Sequence, residues 1–324
     1  MPQAITISGP GGPETLTLAD LPIEEPGPKQ VRVRQSISGV NFVDIYVRTG
    51  LYPLPPGQTV LGFEGAGVIE AIGADVENLK VGDRVAYVGH PLGSYAEVRI
   101  LPASRLVRLP DGVSERLAGS SMLRGLTAHM LLFKVHPVQA GEWILVHAAA
   151  GGVGQIVTRW AKRLGANVVA TVGSEGKAEF AYEAGADAVL LHTSEDWVEE
   201  ARRIADNRGV HLAIDGIGGA MLSQSLATVR PFGTVASLGQ AAGPIPPIQI
   251  EELSAPRAVG LCRPSVLTYC NDPEFYRQGA AALLAELEDG LPNPIGMEYA
   301  LKDASQAHAD LQSGRTTGSI ILTM

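Results

Sequence analysis

Only two cysteines, Cys262 and Cys270, occur in 324 residues. Two thiols cannot build a disulfide framework or a four-cysteine zinc lobe. One bridge between them is the alternative to two reduced thiols, the state expected in a reducing cytosol. Basic residues are also scarce: 25 lysines and arginines stand against 34 aspartates and glutamates, for a formal charge of −9, and they form no cluster. A surface that follows phosphates needs concentrated positive charge, so nucleic acid is not an expected partner. No apolar run approaches a bilayer-spanning helix, so no membrane partner is expected. The opening MPQAITISGPGGPETL lacks the basic start and apolar core of a signal peptide. A cytoplasmic location is the resulting expectation.

What is present suits globular domains. Charged residues make up 18 % and hydrophobic ones 45 %, too little charge for disorder and enough apolar material for sizeable cores. The 38 glycines and 22 prolines are scattered, which implies many turns and no low-complexity segment. The length exceeds one typical domain, so two are expected.

Residues 1–124 read as β-rich. Val31, Val33 and Gln35 alternate with arginine and serine, as in a half-buried strand. GFEGAGVIEAIG places small and branched residues between glycines, suggesting curved strands in close backbone contact. VGDRVAYVG, the glycine-marked loop HPLGSY and AEVRIL continue a pattern of short strands and turns, as in a barrel.

From residue 125 the rhythm changes. WILVHA is a short apolar run, followed by AAGGVG and an amphipathic helix. Val153, Ile156, Val157, Trp160, Ala161 and Leu164 share one face of it, with Thr158, Arg159, Lys162 and Arg163 expected outward. Gly165 sits where a left-handed cap ends a helix. NVVATV, AVLLH, VHLAID, TVASLG and RAVGLC read as further strands, with a short helix near 177–184. Ser194 is expected to cap a helix carrying Glu195 and Asp196 in its first turn. Such alternation predicts a parallel doubly wound α/β sheet. Beyond about residue 264 the chain becomes helix-rich, FYRQGAAALLAELEDG most clearly, and ends on the strand-like GSIILTM.

The segment HAAAGGVG at 147–154 is the most informative. A dinucleotide pyrophosphate needs backbone N–H groups aimed at it, and a helix N-terminus supplies them with the positive end of its dipole. Side chains at the turn would hold the phosphate away, so Ala150, Gly151, Gly152 and Val153 are the expected contacts. The spacing A-x-x-G-x-x-G, from Ala148 through Gly151 to Gly154, varies the usual fingerprint. It leaves a strand and opens an amphipathic helix, the context that separates a dinucleotide loop from a structural turn. An NAD-specific fold places an acid about 20 residues beyond the glycines. Here the second strand ends in Gly173 and Ser174, with Lys177 close behind, a set suited to a 2′-phosphate and hence to NADPH. Glu175 as a displaced ribose-binding acid, and Lys177 as a solvated lysine, are the opposing readings.

Several segments now carry a resemblance: GVNFVDIYVRTGLYP at 39–53, LGFEGAGVIEAIG, VGDRV, HAAAGGVG, TVGSEGK and CRPSV. In this order the chain resembles, over essentially its whole length, the zinc-independent quinone oxidoreductases of the zeta-crystallin type. These belong to the medium-chain dehydrogenase/reductase superfamily. The resemblance implies a GroES-like catalytic domain from residues 1–124 and 265–324, and a Rossmann domain from 125–264 that binds NADPH. It also implies that the tail returns to the first domain, an active site in the cleft between the two, and a homodimer. An edge strand near 259–262 would extend the sheet across the two-fold axis. Where zinc-dependent relatives carry a cysteine ligand this chain has Asn41, and Phe63 replaces the histidine of their G-H-E motif. No recognisable ligand pair remains among its seven histidines. A quinone or activated alkene delocalises charge as hydride arrives, so hydrogen-bond donors can take the metal's place.

Asn41 is therefore expected to face the nicotinamide, against a loop asparagine bonded to its own backbone. Tyr46 and Tyr52 can donate to an acceptor oxygen, or serve only as packing. Asp44, where the zinc relatives keep a carboxylate behind the metal ligands, reads as structural. By resemblance Thr127 meets the nicotinamide or its ribose, with a helix-start threonine as the alternative. Leu238, Gly239 and Gln240 end a parallel strand, where such sheets bind ligands. Arg263 and Arg315 match cofactor-contacting positions, against ordinary surface arginines. His192 stands where relatives often carry a tyrosine near the adenosine phosphate, and as a cation it would favour a 2′-phosphate. An ordinary strand-end histidine is the alternative. The implied activity is NADPH-dependent reduction of quinones; the alternatives are an ene reductase of α,β-unsaturated carbonyls and a non-catalytic NADPH-binding protein. The missing zinc ligands predict that NADPH oxidation by an electrophilic acceptor survives exhaustive chelation. Loss of turnover that added zinc restores would reject that reading.

Overall fold

The computed structural model describes residues 1–255 and 257–324. The chain divides into two compact units, Met1–Leu126 with Leu267–Met324, and Thr127–Val266.

The first unit is built on the strand Gln30–Val40. Val31 and Val33 are fully buried and Gln35 almost so. The Gln35 amide tolerates the interior because it donates to the carbonyls of Ser94 and Ala96, at 3.1 and 2.5 Å. The strand pairs antiparallel with Glu64–Ile72, Val98–Pro102 and Ser319–Thr323. Its sheet runs Ile295–Ala300, Ser319–Thr323, Gln30–Val40, Glu64–Ile72, Arg84–Val88, Val107–Arg108, with Val98–Pro102 off that path. The C-terminal strand thus pairs Ile320 with Val40 and Thr323 with Ile37, joining chain ends far apart in sequence.

The second unit is a six-stranded, wholly parallel sheet. Its spatial order is Ala188–Leu191, Asn167–Val172, Trp143–Val146, Val210–Asp215, Val229–Ser237, Gly260–Cys262. In chain order that is 3-2-1-4-5-6, the doubly wound arrangement whose ligand crevice opens where the order reverses. Gly260–Cys262 pairs on one side only and forms an edge. The helix Gly152–Arg163 buries Ile156, Val157, Trp160 and Ala161, and Gly165 ends it at φ +81.

Two local expectations are corrected. Thr158 is fully buried, because this helix is covered on a wider face than its apolar stripe marks. Ser194 does not cap the next helix. Its hydroxyl donates to the Asp196 carboxylate, the helix is Trp197–Ile204, and Glu199 and Glu200 occupy its first turn.

The polar centre of the first unit is Glu64, with no exposed surface. Its Oε1 accepts from Arg124 at 2.7 Å and from Asn41 Nδ2 at 2.8 Å, and its Oε2 from the Leu123 N–H at 2.6 Å. Arg124 also donates to the carbonyls of Ser120 and Val40. Burial still pushes the Glu64 carboxyl above its ordinary range, against the pull of Arg124. Removing the cation leaves a buried, uncompensated carboxylate. Arg124→Met should therefore lower stability by ~3–5 kcal/mol in denaturant unfolding, and Glu64→Gln in the same chain should recover part of the loss. A single variant within about 1 kcal/mol of the parent would show that the pair is not a structural centre.

Candidate active site

In the second unit the candidate site residues cluster at the carboxyl ends of the parallel strands. After Trp143–Val146 the chain turns through Ala148, at φ +50, and Gly151 N–H donates to the Ala148 carbonyl at 2.9 Å. Gly151 is the N-cap of Gly152–Arg163, and no side chain caps that end. The N–H groups of the first turn, at Gly152 and Val153 among others, are thus left for a ligand. Glycine is required at 154: a Cβ there would stand 2.5 Å from the Ala148 carbonyl oxygen and 2.6 Å from Ala149 Cα. Ala150 is buried, its carbonyl accepting from Gln155 Nε2 at 2.9 Å. An uncapped helix end over a loop with almost no side chains fits a dinucleotide pyrophosphate.

The next two strand ends carry the other residues expected at a cofactor. Gly173 and Ser174 follow Asn167–Val172 and are exposed, and Lys177 closes the single turn Glu175–Lys177 with its ammonium half-buried. His192 follows Ala188–Leu191, and a Cβ on Gly173 would meet its Cε1 and Nε2 at 3.4 and 3.5 Å. The structure brings Gly173 and His192 into contact, and Lys177 bears electrostatically on His192. Burial, reinforced by Lys177, holds the imidazole below its ordinary pKa, against the pull of Asp215. Burial and Lys177 thus favour the neutral imidazole in the free protein and oppose the cation that would favour a 2′-phosphate.

Across the reversal point, Asp215 organises the remaining loops. Its Oδ1 accepts from the N–H groups of Ile217 and Gly218, at 2.8 and 3.0 Å. Its carbonyl accepts from Leu238 and Gly239. Arg263 donates to Ser237 Oγ at 3.1 Å and to Gln240 Oε1 at 3.2 Å, so it is anchored beside these residues. Sequence reasoning did not find the buried chain beneath them. His147 Nδ1 and Thr171 Oγ1 are 2.7 Å apart, His147 Nε2 and Ser225 Oγ 3.0 Å, and Ser225 Oγ donates to Asp215 Oδ2 at 3.0 Å. Burial lowers His147 to about 4, so the ring is neutral. Since Ser225 gives its proton to Asp215, His147 donates from Nε2 and accepts from Thr171 at Nδ1. The serine lies between histidine and aspartate and is fully buried, which rules out a nucleophilic triad. Only the pairing of strand-end His147 with a hydroxyl on the next strand hinted at this chain.

Thr127 lies within the helix Met122–His129 and is 2 % exposed, so it does not start that helix.

In the first unit Asn41 is the N-cap of Phe42–Arg48 and is buried. Its backbone N–H donates to Asp44 Oδ2 at 2.8 Å and its side-chain amide to Glu64 at 2.8 Å, while a capping box with Asp44 also ties the side chain to the local backbone, so it is a fixed group. One turn on, the Tyr46 and Tyr52 rings meet edge to face with centroids 5.3 Å apart, and the Tyr52 N–H donates to the Tyr46 carbonyl. Both rings are half-buried. Arg315 is exposed, and its N and Nε both donate to Ser313 Oγ at 3.3 Å. Behind Asn41 lies a second group that the sequence did not advertise. Asp44 is fully buried, its Oδ1 has no hydrogen-bond partner, and burial pushes it up to about 7. Tyr95 Oη and His308 Nε2 are 3.0 Å apart, and Arg48 reaches both His308 Nδ1 at 3.4 Å and Gln312 Oε1 at 2.7 Å. Burial and Arg48 hold His308 down to about 3.

Among the described residues no group of three or more histidine, cysteine, aspartate or glutamate side chains is placed to hold a metal ion. Among the described residues no helix is long and apolar enough to cross a membrane.

A β-rich unit bearing a fixed amide beside two tyrosines, and a Rossmann unit with an open glycine loop, define a medium-chain dehydrogenase/reductase. Comparison with known proteins agrees. Residues 27–111 match the alcohol dehydrogenase GroES-like domain, and residues 152–281 match the family described as zinc-binding dehydrogenase. The chain is 40 % identical over 323 residues to the quinone oxidoreductase of Pseudomonas aeruginosa, covering 99 % of each. It is 37 % identical to a 2-haloacrylate reductase of Burkholderia sp., again covering 99 % of each. The crystal structure of Escherichia coli quinone oxidoreductase complexed with NADPH superposes with a TM-score of 0.95 at 34 % identity, covering 99 % of this chain and 100 % of that one. The chain belongs to the quinone oxidoreductase family of that superfamily.

The two buried groups behind Asn41 predict opposite pH responses. Folded Asp44 holds its proton up to about pH 7 while an unfolded aspartate releases it near ~3.9, so its contribution to stability is lost as pH rises between them. Folded His308 stays neutral down to about 3, whereas unfolded histidine protonates near ~6.5, so its contribution is lost as pH falls through that window. Relative to the parent, Asp44→Asn should gain melting temperature as pH rises from about 5 to about 8, and His308→Gln should gain as it falls to about 4. Parallel melting curves for all three proteins would refute both assignments.

Proposed function

We propose that this chain reduces quinones with NADPH, without a metal, using Asn41, Tyr46 and Tyr52 toward the acceptor. The observation that carries the cofactor half is the donor set Gly173, Ser174, Lys177 and His192 at adjacent strand ends, where the nearby carboxylate, Glu175, is exposed. NADPH supplies the hydride. The chain's residues hold it: the N–H groups around Ala150, Gly151, Gly152 and Val153 receive the pyrophosphate, Ser174 and Lys177 the 2′-phosphate, and Arg263 and the 238–239 backbone flank the opposite side of the crevice. We assign Thr127 and Arg315 supporting contacts to the cofactor. The Asn41 carboxamide has one N–H committed to Glu64 and its oxygen turned to the helix N-terminus in a capping box with Asp44, which leaves its second N–H for the reacting groups. The tyrosine hydroxyls donate to the acceptor oxygen as negative charge develops there.

One observation favours a second reading. A relative equally well covered is a 2-haloacrylate reductase, and an activated alkene conjugated to a carboxylate delocalises charge much as a quinone does. Reduction of α,β-unsaturated carbonyls is therefore the alternative activity. We further propose a cytoplasmic homodimer joined through the edge strand Gly260–Cys262, which a monomeric mass in solution would refute.

Oxidation of NADPH and NADH by benzoquinone and by cyclohexenone, followed in parallel, tests the assignment. NADPH with benzoquinone should be the fastest combination. Lys177→Ala should raise KM for NADPH about 10- to 100-fold and leave NADH unchanged, the loss of one charge-assisted hydrogen bond. Asn41→Ala, and Tyr46→Phe with Tyr52→Phe, should each lower kcat by about tenfold or more. Faster turnover of the enone would install the alternative; a preference for NADH would overturn the role of Lys177.

A further inference from the structure

We infer that His192 recognises the 2′-phosphate as a neutral imidazole donating from Nε2, so that its share of the discrimination between NADPH and NADH does not depend on pH near neutrality. The inference rests on the proposed NADPH site. It differs from the ordinary expectation that a histidine beside a phosphate acts as a cation.

The geometry of the ring carries the argument. The His192 N–H donates to the Val172 carbonyl at 3.1 Å, which fixes the residue beside the end of Asn167–Val172. Its Cε1 and Nε2 edge lies over Gly173, the position that opens the Gly173–Ser174–Lys177 segment. The opposite edge points inward: Nδ1 is buried and has no hydrogen-bond partner. A proton on Nδ1 would be a buried donor with nothing to accept it, and the cation carries that proton by definition. The neutral form with its proton on Nε2 leaves Nδ1 a buried acceptor but removes the buried charge and the buried donor, and it carries its one N–H on the edge that lies over Gly173.

The charged and titratable groups around the ring act in the same direction. Lys177, on the turn after the neighbouring strand, repels a second positive charge. Asp215 pulls the other way, but its carboxylate already accepts from Ile217, Gly218 and Ser225. His147, which also senses His192, is itself neutral. Burial and Lys177 together outweigh Asp215. With a 2′-phosphate present, the Lys177 ammonium supplies the compensating charge and the imidazole a directed hydrogen bond.

The test uses the full chain and calorimetric titration with NADPH and with NADH from about pH 6 to about pH 8.5, on the parent, His192→Gln and His192→Phe. Gln keeps an N–H donor; Phe keeps the ring without one. Phe should weaken NADPH about tenfold and NADH less than about twofold, while Gln should cost NADPH less than about threefold. The ratio of NADPH affinities between parent and Phe variant should stay flat with pH. Titration of the 2′-phosphate itself is common to both proteins and cancels in that ratio. In the free parent, ring-nitrogen NMR should show His192 protonated at Nε2 alone. A ratio that grows about tenfold on acidification, with proton uptake on binding, would make His192 a cation and overturn the inference. Unchanged NADPH affinity in the Phe variant would remove His192 from the site. A parent that binds NADPH no tighter than NADH would instead refute the underlying assignment of the 2′-phosphate site, and this inference with it.

Discussion

The first unit depends on one buried ion pair. Glu64 has no access to water, and the three groups that satisfy it come from two other segments: the Asn41 side chain from one, and the Leu123 backbone and Arg124 guanidinium from the helix Met122–His129. Such a pair adds little net stability, because taking both charges out of water cancels most of their attraction. Its effect is on uniqueness. A carboxylate that must find three donors at once accepts only one arrangement of the helix Phe42–Arg48, the strand Glu64–Ile72 and the helix Met122–His129. Asn41 is fixed as a by-product of that requirement, held at the side chain by Glu64 and at the backbone by Asp44.

The second unit solves the same problem without a counter-cation. Asp215 is equally buried, yet it is satisfied by two backbone N–H groups and one hydroxyl. The two N–H groups belong to the loop that follows its own strand. Its carbonyl takes the N–H groups of Leu238 and Gly239, which end the neighbouring strand. One residue thus ties together two loops at the reversal point of the sheet, and the Ser225–His147–Thr171 chain extends the tie under the glycine loop. Neutral donors suffice here because each member has a partner, and a fully satisfied polar network rigidifies where a partly satisfied one would destabilise.

Local pattern revealed the elements; it did not reveal these ties. The alternation at Val31, Val33 and Gln35, the glycine spacing after Trp143–Val146 and the left-handed Gly165 were legible because each is written within a few residues. Arg124 was not, since nothing around it shows that it lies against Glu64, 60 positions earlier. Thr158 was misread for a related reason: a small hydroxyl residue on the polar side of a stripe is silent about how much of the helix is covered. His192 shows the limit most clearly. Its residue type invited a positive charge, and only burial, Lys177 and the unpartnered Nδ1 reveal that the charge is opposed.

These facts bear on how the chain manages without the ligands its zinc-dependent relatives use. Replacing a cysteine by Asn41 and a histidine by Phe63 removes two metal ligands, but the carboxylate beside Phe63 stays and becomes the hub for Asn41 and Arg124. A metal draws charge from any oxygen it meets, whereas a fixed amide and two phenols offer directed but weaker stabilisation. That suffices only when the acceptor spreads the incoming charge itself. On the proposed role of Asn41, Tyr46 and Tyr52, the substrates narrow to conjugated acceptors by energetics before pocket shape contributes, which is why quinones and activated alkenes stand together as the candidates and simple carbonyls do not.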